Sequence, residues 1–497
     1  MHRYSTQVIT LLRSRTFFVA IMALFVVESS WIALSASYPM AFDEDFHFGI
    51  IKLYAKQWSP FFAHQPAGGN VYGALTTDPS YLYHYLMSFP YRLVSLLTSS
   101  QMAQIITLRF IDIGMFSIGL ILFRKLLLRT KAPPSLIHIA ILFFILIPVV
   151  PLLAGQINYD DLLMPLVALS LLLAVEFKQQ LQTENVMRGG RLLVLAALCM
   201  LASLVQFEFL PIFFAIGVYV LWNLWRFNRA KPHAVGNALS LNWHHTKPVY
   251  QIGSVLLFVV ALGLFAKSYG TNLVIYHNPI PQCNQVMSIH DCSAYSPWLR
   301  NYQDSLNKSA VSTNPLIYTR HWFYAMFYNS FFSSSGGADT AAYYIHVAPL
   351  PIISITAIIV FTGGLLLLLR YGKGILHEYP LLGFLLYASI TYCVVLWLWN
   401  YHDYTHLGAA VALNGRYLLP VILPILLLMA LAYRKLLLNH GTLQLTLLAT
   451  VLVLFIEGGG ALTFIEASNA HWYWPNNGVV DGVNQVAQKV VKPLIYS

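Results

Sequence analysis

Apolar stretches alternate with short polar breaks along almost the whole chain, and their length sets the first reading. A hydrocarbon core needs about 20 apolar residues per helix. Runs of that order occupy 17–38, 101–123, 135–154, 162–177, 192–206, 209–225, 249–267, 348–369, 378–398, 415–433 and 441–456. The pattern predicts an all-α, polytopic transmembrane helical bundle of about 11 spans, treated as one domain over 1–497. The runs at 162–177 and 192–206 are the shortest, and an odd number of spans puts the termini on opposite sides. Two long polar segments remain, 39–100 and 268–347, with a tail after 457; all three are rich in Tyr, Trp, His, Asn and Pro. The chain has no clear internal repeat, no low-complexity tract and no glycine-rich phosphate loop, zinc-spaced Cys/His set or nucleophile elbow.

Composition agrees with the pattern. Hydrophobic residues make up 58% of the 497 and charged residues 10%, against about a quarter charged in soluble proteins. A net charge of +10 would suit nucleic acid if it were patched on one domain, but it is not, so no nucleic-acid partner is expected. Basic residues sit instead in short breaks between runs: Arg13 and Arg15, Arg124 to Lys131, Arg226 and Arg229, Arg370 and Lys373, Arg434 and Lys435. Positive residues favour the cytoplasmic side, which predicts a cell-membrane protein with a cytoplasmic N-terminus and an extracytoplasmic C-terminus. The two long loops and the tail then lie outside. Arg13 and Arg15, the first run and Ala33-Leu34-Ser35-Ala36 also fit a cleavable signal; the acidic segment that follows favours a retained tether.

Acids are scarce, only 19, so their clustering carries information. Asp43, Glu44 and Asp45 follow the first span on the outer side, and Phe42 to Tyr54 reads as an interfacial helix. Asp43, His47, Ile50 and Tyr54 have the spacing of one helical face, pairing a proton acceptor with an imidazole able to bind phosphate. An acidic first turn favoured by the helix dipole is the plainer alternative. Asp160 and Asp161, in Gly155-Gln156-Ile157-Asn158-Tyr159-Asp160-Asp161, stand at another outer mouth; they are either site acids or a helix cap. Arg416 and Tyr417, in Leu413-Asn414-Gly415-Arg416-Tyr417-Leu418-Leu419-Pro420, open the tenth span from outside. A guanidinium fork suits phosphate, while snorkelling to the interface is the bland reading. Asn400, His402, Asp403 and His406 add polarity nearby. Glu208 is a further isolated charge, and Arg109 with Asp112 has the spacing of an intrahelical pair. Cys199 and Cys393 lie in apolar runs. Cys283 and Cys292 share an outer polar segment, where a disulfide is expected.

These stretches resemble the GT-C superfamily of integral membrane glycosyltransferases, which includes protein O-mannosyltransferases and aminoarabinose transferases, in a bacterial branch of unassigned activity. Phe42 to Tyr54, Asn158 to Asp161 and Asn414 to Pro420 carry the likeness. The resemblance implies transfer of a sugar from a polyprenyl-phosphate carrier to an acceptor at the extracytoplasmic face. Asp43 would be the base, Glu44 or Asp45 its neighbour, Asp160 or Asp161 a second acid, and Arg416 a ligand of the carrier phosphate. His47, Tyr54 and Tyr417 join it as candidate substrate-binding residues. Oxygens at 43–45 would also suit Mg²⁺ or Mn²⁺. The large C-terminal domain and peptide-recognition motif of some family members have no counterpart here, so the acceptor stays open. A transporter or lipid flippase, or a non-catalytic envelope assembly subunit, would share the many spans; transporters, however, tend to place their sites at the midplane.

Overall fold

A computed structural model describes residues 2–40, 42–147, 149–183, 189–230, 247–331, 351–438, 440–457 and short pieces between 478 and 490. The expected outer tail after 457 lies mostly outside the described residues, as does 332–350 of the second outer loop. Among the described residues the fold is all-helical with no strand. Seven helices of the described residues are long and apolar enough to cross a membrane: Arg15–Ser35, Gln101–Arg129, Phe207–Arg229, Pro248–Tyr276, Ile358–Glu378, Pro380–Leu407 and Gly415–Leu436. Shorter apolar helices cover Pro134–Leu146, Gly189–Val205 and Gly441–Val453. The architecture is that of a multi-pass membrane protein.

The chain opens with α1 (His2–Arg13) and turns at Ser14 into α2 (Arg15–Ser35). The Ser14 hydroxyl accepts the Phe17 N–H at 3.0 Å, satisfying an orphan donor of the new helix. Next come α3 (Glu44–Tyr54), α4 (Leu82–Leu97), α5 (Gln101–Arg129), α6 (Pro134–Leu146), α7 (Val149–Ala154), α8 (Asp160–Thr183), α9 (Gly189–Val205), α10 (Leu210–Ala230) and α11 (Pro248–Phe265). Within the second long polar segment lies α12 (Pro315–Phe331), and after it follow α13 (Pro351–Glu378), α14 (Pro380–Leu407), α15 (Leu419–Leu436) and α16 (Gly441–Glu457). Proline opens α6, α11 and α14, where its missing N–H costs nothing.

Lipid is as apolar as leucine, so close backbone approach and van der Waals packing join these helices. At Gly119 of α5 an added Cβ would stand 3.0 Å from the Pro165 nitrogen of α8; at Gly155 it would stand 3.0 Å from the Ser29 carbonyl of α2. Phe25, Phe116 and Phe144 fill the space between α2, α5 and α6. Most of α15 is enclosed by neighbours, whereas α11 leaves Val249, Ile252, Leu256, Val259 and Val260 exposed. In water such a surface would aggregate; in a bilayer it faces lipid.

The segment after α2 packs over the helix ends on its side. In α4, Arg92 donates to the Tyr54 carbonyl at 2.8 Å and the Ala55 carbonyl at 3.0 Å, and its guanidinium lies over Trp58 at 4.2 Å. It therefore binds the carbonyls that end α3. Cys283 and Cys292 are joined by a disulfide with Cα atoms 5.8 Å apart. Asp291 beside it accepts from Asn70 at 3.2 Å, tying the second outer loop to the first.

Candidate functional site

Three separated stretches meet at one point, the carbonyl of Phe42. It accepts Asn158 Nδ2 at 3.1 Å and Arg416 Nη1 at 3.2 Å. Phe42 and Asp43 both have left-handed backbones, with φ of 60° and 69°. Non-glycine residues there cost of order 1–3 kcal/mol each, and the two donors on Phe42 hold the turn. This turn corrects the expected helical face. The helix starts at Glu44, and His47, Ile50 and Tyr54 are buried along it. Asp43 precedes the helix in a different backbone state, and its side chain is 61% exposed.

The acids at 43–45 therefore part company. Glu44 is fully buried and accepts four N–H groups: Arg109 Nε at 2.7 Å, Arg109 Nη2 at 2.7 Å, Met40 N at 2.7 Å and Ile157 N at 3.2 Å. Arg109 also donates from Nη1 to the carbonyls of Ala33 at 3.0 Å and Ala36 at 2.6 Å. One ion pair thus ties α2, α3, α5 and the α7–α8 turn together. The salt bridge of Arg109 runs to Glu44, 65 residues away in sequence, instead of the expected partner Asp112 one turn along. Asp43 instead accepts Arg416 Nη2 at 3.1 Å, and Asp45 is exposed in the first turn of α3.

Arg416 sits in a 3-10 turn, Gly415–Leu418, that precedes α15. Asn414 Oδ1 accepts its N–H at 2.9 Å, and Tyr392 Oη donates to the Tyr417 carbonyl at 2.6 Å. The guanidinium is buried, lies 5.3 Å from the Phe42 ring centre and 5.2 Å from that of Tyr417, and reaches Tyr417 Oη at 3.4 Å. Its Nε has no partner.

On α8, Asn158 makes the cap: its Oδ1 accepts the Asp160 N–H at 3.0 Å. Asp160 and Asp161 are therefore not spent on capping. Asp160 Oδ2 and both carboxyl oxygens of Asp161 are buried without hydrogen-bond partners. Asp160 lies in the field of Arg416; Asp161 turns inward toward Asp112, whose carboxylate accepts Tyr83 Oη at 3.1 and 3.0 Å. Glu208 joins from the start of α10, within electrostatic range of Asp160 and Arg416, with Gln206 Nε2 at 3.1 Å.

His47 packs inward from α3. Its Nδ1 is 2.9 Å from His84 Nε2, the rings stack, and Tyr159 meets it edge-on at 4.6 Å. Burial, then the second imidazole and Arg416, hold the His47 pKa well below the usual value; burial pushes His84 down to about 3. Both rings are neutral at physiological pH. Tyr54 leaves this group, packing against Phe62 at a tilt with ring centres 4.5 Å apart and with Asp78 near its hydroxyl.

The structure thus brings Asp43, Asp160, Arg416 and Tyr417 together, with His47 behind them. It separates Glu44, Asp161 and Tyr54, and leaves Asp45 at the surface. His84, Tyr83 and Asp78 carried no sequence signal. Glu208 did, as a lone acid in an acid-poor chain. Among the described residues no group of three or more His, Cys, Asp or Glu side chains is arranged to hold a metal ion. No protein-family model matches the sequence, and no curated protein matches it.

Proposed function

We propose that this protein is a GT-C-like glycosyltransferase of the cell membrane. It crosses the bilayer about 11 times, with a cytoplasmic N-terminus and an extracytoplasmic C-terminus, and moves a sugar from a polyprenyl-phosphate carrier to an acceptor hydroxyl. One observation carries the reading: an accessible carboxylate, Asp43, stands in a strained turn 3.1 Å from a buried guanidinium with a free Nε. The pair supplies the two things such a transfer needs. As the acceptor oxygen bonds to the anomeric carbon, its proton passes to Asp43. The anomeric carbon–phosphate oxygen bond breaks with inversion, and the departing lipid phosphate keeps the electron pair. Arg416, held beside Asp43, meets that charge. Both groups belong to the outer ends of helices, where a lipid-linked donor can leave its tail in the bilayer. A midplane transport site is not what these residues build.

The test is direct. Purified protein is incubated with a panel of polyprenyl-phosphate sugars and membrane-extracted acceptors, and free lipid phosphate is measured. Release that depends on the protein supports the proposal. No release with any donor, from protein that binds those donors, overturns it in favour of a flippase or assembly subunit.

A further inference from the structure

A cavity runs between the helices from α12, which packs on the Gly415–Leu418 turn, to the Arg434 end of α15. It encloses about 900 Å³ between α1, α6, α12, α13, α15 and α16, at the upper end of the ligand-sized range. Arg416 and Arg434 bracket α15, and 18 steps at a rise of about 1.5 Å put them roughly 27 Å apart. That is close to the hydrocarbon thickness of about 30 Å, so the cavity mouth at Arg434 and the Asp43–Arg416 pair stand at opposite faces. Chain direction agrees: α2, α6 and α16 begin at this end, and α15 finishes there.

The walls are apolar, with Leu12, Ile139, Phe143 and Leu448 among them. The mouth is not. Arg13 and Arg434, both exposed, stand there with Ser135 and Gln444, while Arg320 and His321 stand on α12. None of the lining residues is Asp or Glu. The Glu378 carboxylate at the end of α13 is taken by Lys435 at 3.1 Å, although Arg434 also reaches Tyr379. A greasy chamber with a polar lip whose charged residues are all cationic fits an amphiphile with an apolar body and an anionic head. We infer that this cavity holds an anionic glycerophospholipid, its acyl chains between the helices and its phosphate between Arg13 and Arg434.

Basic pockets between membrane helices on the cytoplasmic side have this preference. The carrier lipid is a poorer fit, because Arg416, proposed to hold its phosphate, does not line the cavity. A lipid seated among six helices differs from the exchanging layer round the protein: it binds one to one and joins α1 and α16 to the helices between them. The inference stands independently of sugar transfer.

The experiment is native mass spectrometry and thermal unfolding of the full chain in neutral detergent, titrated with phosphatidylglycerol, phosphatidylcholine, polyprenyl phosphate or inorganic phosphate. One phosphatidylglycerol should be retained per protein, with a rise in Tm that phosphatidylcholine does not give. At about 1 kcal/mol per basic residue, Arg13→Gln/Arg434→Gln should weaken retention roughly 30-fold. Arg13→Lys/Arg434→Lys should keep most of it, which separates lost charge from a damaged fold. Equal retention of the zwitterionic lipid, or unchanged phosphatidylglycerol retention in the Gln variant, overturns the inference. So does preferential seating of polyprenyl phosphate, or a rise in Tm from inorganic phosphate alone that equals the lipid's.

Discussion

Replacing Glu44 by Gln barely changes volume, yet it should be among the most damaging single substitutions in the chain. The carboxylate accepts four N–H groups, two on each oxygen. A carboxamide can accept on one oxygen only, so its NH₂ must face two donors. On either side one of those donors belongs to Arg109 and the other to the backbone. Leaving a buried donor unsatisfied costs about 1–3 kcal/mol, which for two gives roughly 2–6. Breaking a buried ion pair by removing one partner costs about 3–5 kcal/mol. The two routes describe the same loss and agree. The assay is equilibrium unfolding in mixed micelles of wild type, Glu44→Gln, Arg109→Met and the double variant. Each single variant should fall in that range. The double variant should be less destabilised than the sum of the two, because no uncompensated charge stays buried; the carbonyls of Ala33 and Ala36, freed by loss of Arg109, keep the recovery partial. A Glu44→Gln protein as stable as wild type, or strictly additive losses, would refute the reasoning.

Arg416→Ala should raise the donor KM strongly, and Arg416→Lys should restore only part, since Lys lacks the fork that reaches Phe42 and Asp43 together; an unchanged donor dependence removes Arg416 from the site. Asn158→Ala should cost about 1 kcal/mol as a lost cap and about 1 more for the lost hydrogen bond to the Phe42 carbonyl, whereas Asp160→Asn/Asp161→Asn should leave stability nearly intact and cut turnover. Full turnover in that double variant would assign both acids to structure. The imidazoles of His47 and His84 are neutral when folded and titrate near 6.5 when unfolded. Their contribution is therefore complete above pH 6.5 and is lost progressively below it, for His84 as pH falls toward 3, by up to about 1.4 kcal/mol per unit for each ring. The Tm of wild type should drop below pH 6.5 and that of His47→Gln/His84→Gln should drop less; parallel pH profiles would contradict the paired arrangement.

Where the helices would lie was legible because a bilayer imposes long apolar runs, and every such run in the sequence carries helix. Their places in the bundle were not. The helix Gly415–Leu436 is 83% buried over its apolar window and Pro248–Tyr276 only 11%, though the two are similarly apolar. Lipid and protein interior ask for the same side chains, so hydropathy cannot separate them. At the site, scarcity of acids pointed to Asp43, Glu44, Asp160 and Asp161, and the odd outer charge pointed to Arg416. Local rules then misdirected the pairing. Spacing of three suggested Arg109 with Asp112, whereas its ion-pair partner lies on another helix; helical phase put Asp43 beside His47, whereas a left-handed turn at Phe42 and Asp43 rotates it out to Arg416. Such partners depend on how distant segments pack, and no short window contains that.

Asp43 as the base is the central claim, and Asp43→Asn tests it most directly. The substitution keeps shape and removes basicity at a side chain that is 61% exposed, so folding should be unaffected. The measurement is the rate of lipid-phosphate release by wild type, Asp43→Asn and, as a neighbouring surface control, Asp45→Asn, with donor binding followed separately. The expected result is a loss of about 10²-fold or more for Asp43→Asn, the scale of general-base assistance, with donor still bound and Asp45→Asn active. Transfer by Asp43→Asn at the wild-type rate would contradict the account.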